Sequence, residues 1–115
     1  MTKQEMAEWL AENVLGAKKC GSTRADEMGI MGWKIKDLFY REKDGLEYFI
    51  YSPDGFFAVW DAVEKEEDFW SVNFLLVRSG VQCDLDIGRH HVGDGIDRYK
   101  AFYNAVYEAM KGDKE

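Results

Sequence analysis

Residues 69–88, FWSVNFLLVRSGVQCDLDIG, restrict the fold of this chain more than any other stretch. Trp70, Val72, Phe74 and Leu76 fall on every second position, and Val81, Cys83, Leu85 and Ile87 do the same beyond Ser79-Gly80. A period of two on either side of a Ser-Gly turn predicts an antiparallel hairpin with one face committed to a core. Phe74, mid-strand on the apolar phase, is expected at the centre of the sheet. A lone hairpin is unstable in water, so the helical patterns on both sides are expected to cover it.

Those patterns are clear at three places. Thr2-Lys3-Gln4-Glu5 has the form of a capping box, in which Thr2 caps the helix and Glu5 reaches back from the third helical position. Met6, Trp9, Leu10 and Val14 follow at helical spacing and Gly16 supplies a stop, which predicts a helix over about 3–15. Ser52-Pro53-Asp54 opens a second helix with Ser52 as cap, Pro53 at the first position and Asp54 at the positive dipole end. Phe56, Val59, Trp60 and Val63 give it one apolar face, and Asp61 and Lys65 stand four apart. Asp94, with Asp97 three positions on, predicts the start of a last helix faced by Ile96, Tyr99, Phe102, Tyr103, Val106 and Met110. Gly112 is expected to end it, leaving 112–115 as a frayed tail.

Between the first two helices the signals are weaker. Residues 17–32 have no sustained period and read as loop, with a helical turn from Thr23 to Met28 as an option. Met28, Ile30 and Met31 then tuck into a core or face a partner. Trp33–Arg41 and Leu46–Tyr51 flank an Asp44-Gly45 turn signal and read as a hairpin, with a bulge near Asp37 where the alternation changes phase. Arg89–Gly95 reads as a loop. The resulting order is α-β-β-α-β-β-α, with about four mostly antiparallel strands in one sheet and three helices. The class is α+β, and 1–115 form one domain.

Composition narrows the function classes. The 15 basic and 22 acidic residues give a net charge of −7, which argues against duplex nucleic acid, whose phosphates demand clustered Lys and Arg. With 46% hydrophobic and 15% aromatic residues, a folded core is expected. Cys20 and Cys83 have no zinc-type spacing. The opening MTKQEMAEWL has no apolar signal core, and no window approaches a membrane span, so a cytoplasmic protein is expected, with no membrane partner.

TKQEMAEWLAENVLG, SPDGFFAVWDAVEK ahead of the strand FWSVNF, and the packed last helix together resemble the phage ABA-sandwich domain family, small proteins of phages and prophages. The first helix differs in not leading directly into Gly32-Trp33, and the last carries aromatic residues where that family is alanine-rich. The resemblance implies a three-layer α/β/α sandwich and a phage origin in an infected or lysogenic bacterial host. It implies no activity and supplies no site residues.

Three groups of residues are candidates for function. Asp84 and Asp86 share the face opposite the hairpin's apolar one, and Arg89, His90, His91 and Asp94 follow. Carboxylates beside imidazoles are what a divalent metal or acid–base chemistry needs, so a small-molecule or metal site, with hydrolysis as an option, is one reading. The spacing fits no ligand motif, and solvated side chains are the plainer alternative. Lys18, Lys19 and Arg24 could hold an anion or simply be solvated. The third group is aromatic and acidic. Tyr99, Tyr103 and Tyr107 line one side of the last helix, and Glu64, Glu66, Glu67 and Asp68 crowd the C-terminal end of the second, where they oppose its dipole. Tyrosines are common interface anchors. The favoured expectation is therefore a non-enzymatic accessory protein, without catalytic residues, metal or cofactor. It would bind a host protein, in counter-defence for example, or a second copy of itself, through these seven residues.

Overall fold

In the computed structural model of the protein, residues 2–21, 31–36, 38–41 and 45–114 are described, except for the side chains of 112–114. The order is α1 (Lys3–Asn13), β1 (Lys18–Gly21), β2 (Met31–Ile35), β3 (Leu38–Arg41), α2 (Gly45–Ile50), α3 (Pro53–Glu64), β4 (Phe69–Val77), β5 (Gly80–Ile87), β6 (Arg89–Gly95) and α4 (Arg98–Lys114). The fold is α+β, with two three-stranded antiparallel sheets in place of the expected single sheet of four. Contacts gather into two compact units, Met1–Trp60 and Asp61–Glu115, with α3 running across the boundary.

In the first unit the capping box forms as expected. Thr2 Oγ1 accepts from Glu5 N at 3.1 Å, and Glu5 Oε1 accepts from Thr2 N at 2.9 Å. Gly16, at φ +69°, ends the helix in the left-handed region that a side chain disfavours. Residues 17–32 differ from the loop expectation at both ends. Lys18–Gly21 is a strand paired with Met31–Lys34, while the candidate turn Thr23–Met28 and Arg24 lie outside the described residues. The anticipated hairpin partner also differs. Trp33–Arg41 is itself the hairpin, because Ile35 pairs with Leu38 and Lys36, just past the end of β2, takes φ +56°. Asp37, the site of the expected bulge, lies outside the described residues, as does 42–44.

Leu46–Tyr51, expected as a strand, is helical from Gly45 to Ile50. Leu46 and Ile50, one turn apart, are both buried, whereas a strand would also have placed them on one face. The period of four and the period of two are indistinguishable here. Ser52 then breaks α2 from α3. Its Oγ donates to Phe49 O, and Gly55 N donates back to that Oγ at 3.3 Å. Pro53 has no N–H to continue the first helix but suits the first turn of the next.

The second unit is a β4-β5-β6 meander with α4 lying on β5 and β6. The predicted hairpin is present, with Val77 opposite Gly80 and Phe74 opposite Cys83. Arg89–Gly95, expected as a loop, is a strand whose glycines admit the helix. A Cβ on Gly93 would lie 2.2 Å from Ala101 O and 2.3 Å from Ala105 N, and one on Gly95 would lie 2.6 Å from Ala101 N. Gly93 and Gly95 share a face, and Ala101 and Ala105 share a helical stripe, so α4 rests directly on the backbone of β6. The helix starts later than expected, capped by Asp97, whose Oδ1 accepts from Lys100 N at 2.9 Å. Asp94 belongs to β6, and the helix continues through Gly112 to Lys114.

Because β5 is the central strand, its Cys83 and Leu85 are fully buried while Phe74, on edge strand β4, is only half-buried. Leu85 and Phe102, both fully buried, therefore lie deeper than Phe74.

Candidate functional site

The face of the second sheet opposite α4 carries a polar row built by strand register. Ser71 stands opposite Asp86, and Asp86 opposite His90. Ser71 Oγ donates to Asp86 Oδ2 at 2.9 Å, and His90 Nδ1 lies 2.9 Å from Asp86 Oδ1. His90 Nε2 is 3.6 Å from Asp84 Oδ1, which also accepts from Gln82 Nε2 at 3.0 Å. The bond from His90 and then that from Ser71 hold the Asp86 carboxyl below its ordinary pKa. The serine hydroxyl is committed to the carboxylate and not to the imidazole, so this row lacks the serine–histidine contact that nucleophilic catalysis requires.

The two histidines separate. His91 stands opposite Leu85, one step out of phase with His90, so it occupies the other face of the strand. Among the described residues, no group of three or more His, Cys, Asp or Glu is placed to hold a metal ion. Cys83 is also not a reactive thiol. Burial, and then the charge of Asp84, pushes it up to about 12.

The tyrosine line is not the exposed stripe that its spacing suggests. Tyr103 is fully buried and edge-on to Tyr99 with ring centroids 6.5 Å apart, while Tyr99 and Tyr107 are half-buried. The middle of the stripe is therefore covered, and only its two ends are partly open. Glu64, Glu66, Glu67 and Asp68 are all exposed, as expected of an acidic helix end. Asp68 also steadies the tight β5–β6 turn, since its carbonyl accepts from Gly88 N at 3.0 Å. An open cleft of about 950 Å³ lies between β6 and α4, lined by Asp68, His91, Asp94, Asn104, Glu108 and Lys111 among others.

The feature that spacing alone hides is the outer strand. The register slips between Phe69 and Ser71, so Trp70 is the extra residue of a bulge. It leaves the apolar phase and lines a small cleft with Asp86, Arg89 and His90 on the polar face, 83% exposed. At the other end Leu76 keeps its phase but reaches beyond the helix and is 90% exposed. Leu75 and Val77 are exposed as well. Strand β4 thus presents large apolar side chains at a sheet edge, and between Phe69 and Val77 it contains no charged residue. The alternation of apolar residues marked this strand, but neither the bulge nor the reach of α4 is written in it.

No protein-family model matches the chain, and no curated protein or solved structure is significantly similar to it. No enzyme relative is therefore found. Among the described residues, no helix is long and apolar enough to cross a membrane.

Proposed function

We propose that this chain is a non-enzymatic binding protein whose working surface is the outer edge of β4 with Trp70, Leu75, Leu76 and Val77, framed by the acidic run at the end of α3. One observation carries the reading. A nine-residue, uncharged edge strand holds the two most exposed large apolar residues among those described, Leu76 at 90% and Trp70 at 83%. Long apolar edges are normally blunted by charge, proline or a covering element, because their free backbone groups pair with other strands. Exposed apolar area of this kind favours partner contact. The acidic run Glu64–Asp68 adds a charged rim that selects among partners.

A role as a phage accessory factor acting on a host protein is supported only by the sequence resemblance, and we propose it on that footing. The binding surface is tested with a photo-reactive amino acid at position 76, in place of an exposed leucine, and a control at exposed Phe57. Crosslinking to protein from position 76 well above that from position 57 is the expected result. Equal, background-level crosslinking at both positions would remove the edge of β4 as a working surface.

A further inference from the structure

We infer that the occupant of the β4 edge is β4 of a second copy of this chain, paired antiparallel about Asn73 so that two sheets join into one of six strands. This rests on the reading of β4 as a binding edge and names its partner. Four strands lie at sheet edges among the described residues, namely β1, β3, β4 and β6. β1 is KKCG, β3 ends in Arg41, and β6 carries Arg89, His90, His91 and Asp94. β6 is further tied down by Asn104, whose Nδ2 donates to Asp94 O at 2.8 Å. Only β4 is both long and uncharged. The chain's net charge is −7, so two copies repel each other over most of their surfaces. An uncharged strip is where they approach at least electrostatic cost.

The flanking residues favour a particular register. Asn73 is the midpoint of Phe69–Val77, and two-fold antiparallel pairing about it sets Val72 opposite the second copy's Phe74 and Ser71 opposite its Leu75. In the turns beyond the two strand ends, the same two-fold brings the acidic run ending in Asp68 toward Arg78 of the second copy, and the symmetry makes that approach twice. Both residues are exposed. The bulge at Trp70 adds a residue at that end, so Glu67 as well as Asp68 comes within reach of the long arginine side chain. Leu76 of each copy meets the Phe69–Trp70 end of the other, which covers the most exposed apolar residue on each side.

The test uses the full chain and light scattering coupled to size exclusion over rising concentration. The expected mass climbs from that of the 13.3 kDa chain to twice that value. Arg78→Asp and Asp68→Arg each bring like charges together and should weaken the dimer roughly tenfold. The double variant Asp68→Arg/Arg78→Asp restores opposite charges and should recover the parental affinity, while Leu76→Lys should leave monomer. All three positions are exposed, and unchanged circular dichroism checks that the variants are folded. A parent that stays at the single-chain mass at every concentration overturns the inference, as does a dimer indifferent to all four variants. A monomeric parent that still crosslinks another protein from position 76 would sink self-pairing and leave the edge-binding reading standing. Background crosslinking there, with a monomeric parent, would sink both.

Discussion

Gly93 shows how a single residue sets the second unit. Its missing side chain lets the backbone of α4 at Ala101 and Ala105 lie against β6, at distances no Cβ would tolerate. Gly93→Ala is expected to push the helix off the strand and destabilise the protein by about 1–3 kcal/mol or more, measured by urea unfolding. Position on the sheet decides the cost of truncations. Leu85→Ala, on the central strand and fully buried, should cost about 2–5 kcal/mol, and Phe74→Ala, on the half-covered edge strand, should cost less. Equal losses in parallel urea melts would mean that β4 is covered as deeply as β5. Cys83 offers a chemical check on the same core. A thiol reagent should modify half-buried Cys20 in the native protein and reach Cys83 only on unfolding, because burial keeps that thiol protonated.

At the scale of elements, the cap of α4 is sharply assigned. Asp97 holds Lys100 N and Asp94 sits a strand away, so Asp97→Ala should cost about 0.5–2 kcal/mol and Asp94→Ala much less in thermal melts. The β5–β6 hairpin adds a pH signature. Asp86 is held below its ordinary pKa by His90 and then Ser71. A carboxyl depressed in the folded state contributes its full stabilisation above the unfolded-state pKa, and loses it as pH falls through the lower folded value. Asp86→Asn should therefore be less stable than the parent at neutral pH and show a flatter decline on the acid side, so that the two stability curves converge at low pH. The elements legible in the sequence are those that local chemistry specifies. The Thr2 box, the Ser52-Pro53 start and the β4–β5 alternation each satisfy their own backbone and all three are present. The elements misread depend on partners distant in sequence. Leu46–Tyr51 is aromatic enough for a strand but buries Leu46 and Ile50 as a helix. RHHVGDG is a strand only because α4 packs where its glycines leave room. The candidate tyrosines are not an exposed line for a related reason, since helical spacing shows that Tyr99, Tyr103 and Tyr107 share a side but not whether that side is buried.

At the scale of the whole molecule, the balance between a −7 charge and an uncharged edge governs association. Long-range repulsion between two acidic copies opposes pairing at neutral pH, while the apolar contacts of β4 are independent of pH. The sequence isoelectric point is about 4.8. Lowering the pH from neutral toward that value titrates carboxylates across the surface and reduces the repulsion, so dimer affinity is expected to rise. Sedimentation equilibrium at two or three pH values above the isoelectric point measures the effect. The Leu76→Lys variant supplies the control, because it shares the change in net repulsion but lacks the apolar edge. Tighter association of the parent at lower pH, with the variant still monomeric, is the expected outcome. Should both associate alike, general loss of charge and not the edge of β4 would be driving the chains together, and the interface would have to be sought elsewhere on the surface.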